Sequence, residues 1–163
     1  MEKSTRDRLL DAGLDLLGTV GSRRCTIRAA EEAAKVPHGS VRHHFTSQAG
    51  FLAALVERLF ELDAPRDGET LDDTVRRWLG SDRALTRARY ELALLATREP
   101  TFREPFLKGR DRYVDELVGA GLTRDVAARA VAMVDGLVLD AMIRGHGEID
   151  AEAAERVLHA IRV

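Results

Sequence analysis

The chain has 163 residues, of which 45% are hydrophobic and 32% are charged, and its formal net charge is −2. This composition is typical of a folded globular protein and too apolar for a disordered one. The single cysteine excludes an intrachain disulfide, and no apolar run approaches the roughly 20 residues of a membrane span. Since the start of the chain also lacks the apolar run of a signal peptide, we expect a cytoplasmic protein.

Helical spacing of apolar residues recurs in nearly every segment, and no sustained alternation indicates strands. The sequence therefore predicts an all-α fold. A first helix is expected over roughly residues 4–20, beginning at Ser4 or Thr5 and ending at Gly21.

Two short helices follow, separated by a turn. Thr26 is the expected N-cap of the second helix, which runs through Ala34. Pro37 forces Val36 out of helical geometry, so a third helix is predicted over roughly residues 37–44. This pattern is typical of a helix-turn-helix, whose second helix reads DNA in the major groove.

A longer amphipathic helix begins after Thr46 or Ser47. The segment 64–70, APRDGET, is the clearest break in composition and is the predicted joint between the DNA reader and a helical body. Pro100 and several glycines then separate five predicted helices. These are Leu71–Leu79, Leu85–Arg98, Glu104–Ala120, Arg124–Arg144 and Ala151–Ile161.

The third helix should place its side chains on two faces. Val41 and Phe45 are apolar and four residues apart, so they should face the core. His38 and Arg42 should lie on the outward side, where Gly39 allows close approach to a duplex. Arg42 can donate two hydrogen bonds to a guanine edge, and a phosphate contact or plain solvation is the alternative.

Charge is distributed unevenly along the chain. Residues 1–50 contain eight lysines and arginines against six acidic residues, whereas the remainder has a net charge of −4. A mildly positive N-terminal segment on an acidic body is compatible with DNA binding at one end.

These patterns resemble the TetR-type (TetR/AcrR family) bacterial transcriptional regulators. The resemblance covers Arg8 to about Phe60 closely and the rest in architecture. It is carried by residues 10–17, Gly21 and residues 26–28, and most strongly by Val36, Gly39, Ser40, Val41, His43, His44 and Phe45. It implies a helix-turn-helix DNA-binding domain at 1–50 and a helical regulatory and dimerisation domain at 51–163, in which 51–63 is a connecting helix. It also implies a homodimeric, ligand-responsive repressor of a palindromic operator, with an unidentified small-molecule effector and no cofactor.

Five positions depart from the family pattern. Lys35 stands where a turn glycine is usual, a position that can demand positive φ. Pro37 replaces a capping serine. Ala30 and Glu31 replace a larger aliphatic and a small residue, so looser packing of the second and third helices is expected. Arg42 occupies a place that is commonly tyrosine, which leaves the DNA sequence open.

The resemblance implies that His43 and His44 contact phosphates. Neighbouring helix residues diverge by about 100°, so these two histidines are not expected to share a metal ion. Helix starts suit phosphate contacts as well. The predicted DNA-binding set is Thr26, Arg28, His38, Gly39, Ser40, Arg42, His43, His44 and Gln48.

The body contains no catalytic motif, so an enzyme is not expected. The acidic pairs Glu31-Glu32 and Asp72-Asp73 are interpreted as solvated faces, because neighbours on a helix point apart. Cys25 precedes a helix start and is interpreted as an inert thiol or a redox sensor. The alternatives to a regulator are a helical ligand-binding protein that has lost DNA affinity and a small all-α enzyme.

The resemblance further implies a ligand cavity and a dimer interface in the body. The large residues predicted to line a cavity are Trp78, Tyr90, Leu94, Phe102, Phe106, Tyr113 and Met133. The last two predicted helices would form a four-helix dimer interface with the same helices of a second protomer, and burial of these residues within the monomer is the alternative. The predicted dimer-interface residues are Val131, Val134, Val138, Met142, Ala154, Val157, Leu158 and Ile161.

Overall fold

The computed structural model describes residues 3–149, which form eight α-helices and no strand, as the sequence predicts. The predicted helix Ala151–Ile161 lies outside the described residues. The helices are α1 Thr5–Val20, α2 Ile27–Ala34, α3 Ser40–Phe45, α4 Gln48–Asp63, α5 Leu71–Leu79, α6 Arg83–Arg98, α7 Pro100–Gly119 and α8 Arg124–Arg144.

The chain divides into two compact units. Among the described residues, the first unit contains those up to Asp63 together with Arg83–Gly109, and the second contains Ala64–Asp82 together with those from Arg110 to residue 149. Helix α6 therefore belongs to the same compact unit as α1–α4. The reason is a close contact within the first unit: a Cβ on Gly18 of α1 would lie 1.9 Å from the carbonyl oxygen of Ala84, so only glycine permits this approach.

Side-chain caps begin α1, α2 and α4 of the first unit where the sequence places them. Ser4 Oγ accepts a hydrogen bond from the Asp7 N–H at the start of α1, and Thr26 Oγ1 accepts one from the Ala29 N–H at the start of α2. Ser47 Oγ accepts from the Gly50 N–H at the start of α4. Each cap satisfies a backbone donor that the first helical turn leaves unpaired.

A buried ion pair joins the end of α4 to α6 inside the first unit. Arg89 Nη1 donates to Asp63 Oδ2 over 2.6 Å, and both side chains are at most 5% exposed. Nearby, the rings of Phe60 and Phe106 meet edge to face with centroids 5.3 Å apart.

In the second unit, α5 and α8 have the predicted bounds. Thr70 and Asp73 form a capping box at the start of α5, so Asp73 is an exposed cap that is engaged with the helix start. Arg77 is buried on α5 and donates to both carboxylate oxygens of Glu69, to Asp82 and to the carbonyl of Ala64. This arginine ties the segment before α5 to the turn after it.

Helix α7 begins at Pro100, four residues earlier than predicted. The sequence treats Pro100 as a break, but proline fits the first turn of a helix, where its missing N–H has no partner to lose. Pro105 also lies inside α7. None of the described helices combines the length and apolarity required to cross a membrane.

Candidate DNA-binding site and ligand cavity

Helix α3 has the two faces that its spacing predicts. Val41 is fully buried and Phe45 is nearly so, whereas Arg42, His43 and His44 are exposed. The prediction that Val41 and Phe45 pack inward while His38 and Arg42 lie on the outward side is confirmed, since His38 is exposed as well.

The start of α3 differs from the prediction. The helix begins at Ser40, and His38 and Gly39 lie in the preceding turn. Gly39 has φ +92°, a backbone conformation that residues other than glycine rarely adopt. The absence of a side chain at Gly39 therefore suits the turn as well as the expected close approach to a duplex. The Ser40 hydroxyl donates to the Pro37 carbonyl, so it is engaged within the turn.

The carboxylate of Glu31 lies under this turn and is buried, so the interpretation of Glu31 as a solvated residue is wrong. Glu31 is 3% exposed, and its Oε1 accepts hydrogen bonds from the backbone N–H groups of Gly39 (2.9 Å) and Val41 (3.0 Å). His38 Nδ1 lies 3.5 Å from its Oε2. The Val41 N–H, with His38 and Gly39, lowers the pKa of Glu31 below its ordinary value although burial acts in the opposite direction.

Glu31 also changes the expectation of loose packing between α2 and α3. Ala30 is fully buried, and Glu31 links the two helices by accepting a hydrogen bond from the Val41 N–H. Its neighbour Glu32 is exposed and pairs with Arg28 over 2.9 Å. The two carboxylates point apart as expected, but only one of them is solvated.

Lys35 ends α2 in the left-handed conformation, with φ 54° and ψ 50°. The prediction that this turn demands positive φ is confirmed. The Lys35 carbonyl accepts a hydrogen bond from Arg8 Nη2 of α1, which holds the turn in place despite the strained residue.

The structure brings four of the predicted DNA-binding residues together. Arg28, His38, Gly39 and Arg42 line one shallow recess on the first unit, with Glu31 as one of its walls. Thr26, His43, His44 and Gln48 are exposed but lie outside this recess, and half-buried Ser40 does too.

Neither a metal site nor a reactive thiol emerges near this surface. The rings of His43 and His44 stand at 77° to each other, and the described residues contain no group of three potential metal ligands. The Cys25 thiol donates to the Gly13 carbonyl, and burial raises its pKa to about 11. A thiol with that pKa is protonated at neutral pH, which favours the inert interpretation over the redox sensor.

The second unit contains a cavity of about 310 Å³. Of the seven predicted ligand residues, Trp78 and Tyr113 line it. The remaining lining residues are Pro65, Glu69, Leu71, Thr74, Glu116, Leu117, Leu122, Ala130, Val131 and Val134. Sequence reasoning missed Glu69 because it lies in the segment 64–70, which was interpreted as a joint, and it gave no reason to choose Leu71 among the apolar residues of α5.

The other five predicted ligand residues lie elsewhere. Tyr90, Leu94, Phe102 and Phe106 belong to the first unit, where Phe102 and Phe106 are buried and Leu94 is exposed. Met133 lies on α8, half-buried and outside the cavity lining. Side-chain size selects large core residues, and it does not reveal which of them border an empty volume.

The predicted dimer stripe of α8 faces inward. Val131 and Val134 line the cavity, Val138 is fully buried and Met142 is half-buried. The opposite face of α8 exposes Ala132, Gly136, Leu139 and Ile143, of which Ile143 is 75% exposed. The other predicted dimer-interface residues, Ala154, Val157, Leu158 and Ile161, lie outside the described residues.

The helix-turn-helix of the first unit and the apolar cavity of the second define a class: helical DNA-binding proteins with a separate ligand site. Comparison with known proteins identifies the family. Residues 68–162 match the family model of the tetracyclin repressor-like C-terminal domain. The chain belongs to the TetR family, and it is a DNA-binding, ligand-responsive transcriptional regulator.

Individual relatives agree with this assignment. The chain is 28% identical to the HTH-type transcriptional regulator CymR of Pseudomonas putida, over 94% of this chain and 85% of CymR. A TetR family member from Streptomyces coelicolor A3 is similar in structure, with a TM-score of 0.80, 26% identity and 98% of each chain covered. The multidrug binding protein EbrR, in complex with imidazole, has a TM-score of 0.77 and 26% identity over 98% of this chain and 96% of EbrR.

Proposed function

We propose that the protein is a dimeric cytoplasmic repressor, which binds a palindromic operator through α3 and releases it when a small molecule occupies the cavity of the second unit. The observation that carries the proposal is the two-faced α3, with Val41 and Phe45 buried and Arg42, His43 and His44 exposed. A short helix whose exposed face carries an arginine and two histidines fits the major groove of B-DNA.

Within this proposal, Arg42 and His38 contact base edges, because they rim the recess beside the start of α3. Gly39 and Ser40 let the backbone approach the duplex. A bidentate contact between arginine and guanine contributes about 1–3 kcal/mol of discrimination against the wrong base.

The remaining predicted residues are assigned to the phosphate backbone. His43 and His44 lie on the exposed face of α3, and Arg28 lies on the exposed face of α2. Thr26 and Gln48 stand at the starts of α2 and α4, where free N–H groups and the helix dipole favour phosphate.

Selection of bound duplexes from random DNA tests the reading role. We expect a palindromic consensus, and Arg42→Ala should lose the preference for one base pair in each half-site. Arg87→Ala, an exposed arginine of α6, is the matched control and should retain the full consensus. If no sequence is selected, or if the affinity for DNA does not depend on salt, the results would favour a ligand-binding protein that does not bind DNA specifically.

The effector is proposed to be an aromatic molecule. Trp78, Tyr113 and aliphatic side chains provide most of the cavity lining. EbrR, which is similar to this chain, forms complexes with the aromatic compounds imidazole, ethidium and malachite green, and these support the proposal.

Trp78 provides a direct assay because it is the only tryptophan of the chain. Titration with malachite green in the absence of DNA should quench its fluorescence. Val134→Phe fills part of the cavity and should lower the affinity at least tenfold, whereas Met133→Leu, on the same helix but outside the lining, should leave the affinity within twofold. Equal affinities for both variants would contradict the assignment of the site.

The second copy is proposed to pack on the exposed face of α8. A single reading helix contacts few bases, whereas a dimer reads half-sites about 34–36 Å apart. Sedimentation should show that Ile143→Glu dissociates at concentrations at which the native protein is dimeric. Leu107→Glu replaces an exposed leucine of α7 and should remain dimeric. A dimeric Ile143→Glu variant would refute this face.

Regulation then requires that the effector bind the DNA-incompetent state more tightly than the DNA-bound state. A molecule with equal affinity for both states would shift nothing. Helix α8 carries cavity residues Val131 and Val134 on one face and the proposed dimer surface on the other. The proposal therefore assigns to α8 the link between effector and dimer.

A further inference from the structure

We propose that Glu31 is the positioning residue of the DNA-reading helix. In this role its buried carboxylate fixes the start of α3, so that sequence-specific binding depends on a side chain that does not itself face DNA. The inference rests on the assignment of α3 to DNA reading.

Helix α3 has no side-chain cap of its own. The residue before it is Gly39, no side-chain cap bond is made there, and Pro37 offers no hydroxyl. With six residues the helix is short, so its unpaired first N–H groups are a large part of its backbone.

Glu31 supplies the missing acceptor from α2. One carboxylate oxygen, Oε1, accepts from the N–H of Gly39 and from the N–H of Val41, at 2.9 and 3.0 Å. Both bonds are charge-assisted and one of them is buried, which makes them stronger than neutral hydrogen bonds. They fix the left-handed Gly39 and the first turn of α3 relative to α2.

The second carboxylate oxygen orients a side chain at the protein surface. His38 Nδ1 lies 3.5 Å from Oε2, which directs the opposite ring nitrogen, Nε2, away from Glu31. His38 is exposed and shares its recess with Arg42. A single buried group thus sets both the register of the helix and the direction of a proposed DNA contact.

Electrostatics alone predict the opposite change in DNA affinity, so an experiment can distinguish the two explanations. Removal of a negative charge near the DNA surface should strengthen binding to any duplex. If Glu31 positions α3, its neutral variant should instead bind the operator more weakly. Glu32→Gln is the matched control, because Glu32 is the next residue on the same helix, carries the same charge and is exposed.

The experiment compares the native protein, Glu31→Gln, Glu31→Asp and Glu32→Gln on the selected operator and on an unrelated duplex at one salt concentration. We expect Glu31→Gln and Glu31→Asp to lose about tenfold in operator affinity, the change expected when a hydrogen bond to a charged group is weakened. Their affinity for the unrelated duplex should stay within twofold of the native value or rise. Glu32→Gln, which also releases Arg28 from its ion pair, should bind both duplexes as tightly as the native protein or more tightly.

Amide hydrogen exchange supplies a readout that a general loss of fold would not give. In Glu31→Gln, the Gly39 and Val41 amides should exchange faster while the amides of α1 keep their protection. Unchanged operator affinity in both Glu31 variants would overturn the proposal, and so would equal losses on both duplexes. If the native protein itself selects no operator, the DNA-reading assignment fails instead.

Discussion

Each compact unit encloses an arginine, and the two are held differently. Arg89 of the first unit pairs with Asp63, a carboxylate with no exposed surface that lies 26 residues away in the chain. Arg77 of the second unit pairs with Glu69 and Asp82, which keep 12% and 20% of their side-chain surface exposed. The Arg89 pair therefore depends on tertiary packing, whereas the Arg77 cluster is local in sequence and in contact with water.

Removal of each arginine should give the largest contrast between the units. Arg89→Ala leaves the Asp63 carboxylate buried, so we expect it to lower the free energy of unfolding by about 3–5 kcal/mol. Arg77→Ala leaves carboxylates that solvent can reach, and we expect a loss of roughly 1–3 kcal/mol. Urea unfolding followed by circular dichroism measures both, and equal losses would remove the distinction.

The next largest change in the free energy of unfolding is expected from the tight packing in the first unit. Gly18→Ala places a methyl group against the Ala84 carbonyl, which should cost about 1–3 kcal/mol. Gly119→Ala in the second unit is the control, because nothing lies within 4 Å of its added Cβ and alanine favours the helix. A stable Gly18→Ala variant would mean that α1 and α6 can separate without loss.

The Arg77 cluster should make the second unit sensitive to acid. Arg77, with the Arg66 N–H and Thr74, lowers the pKa of Glu69 from 4.5 to about 2. Because the folded pKa lies below the unfolded one, this stabilisation is present above about pH 4.5 and is lost as the pH falls toward 2. Glu69→Gln should remove that part of the pH dependence, measured as thermal midpoints from pH 6 to pH 2, and an unchanged profile would contradict the assignment.

The smallest expected effect is a gain in the first unit. Lys35→Gly removes the strain of a lysine in the left-handed conformation and should raise the free energy of unfolding by up to about 1 kcal/mol. Lys108→Gly, in the exposed middle of α7, should have the opposite sign at about the same size. A destabilised Lys35→Gly variant would show that this turn is not strained.

Local chemistry explains which elements were predictable. Thr70 and Gly80 delimit α5, and Thr123 and Gly145 delimit α8, so the sequence predicts the bounds of both helices. The start of α3 was not predictable in the same way, because its acceptor is Glu31, eight residues before Gly39 and on another helix.

The two candidate sites differ in the same way, because one was predictable from local sequence and the other was not. The outward face of α3 follows from the spacing of Val41 and Phe45, and the burial of these two residues confirms it. The cavity depends on Trp78, Tyr113 and Val134, which come from three helices, and no periodicity within a single helix indicates which side borders an empty volume.

By itself, the amino-acid order determined the helical class, most helix ends and the outward face of α3, because caps, glycines and apolar spacing act over a few residues. Only the tertiary structure decided that α6 joins the first unit, that Glu31 is buried under the turn before α3, and that Val131 and Val134 border a cavity. These outcomes depend on which helices pack together, since burial and hydrogen bonding between distant residues arise only after the chain has folded.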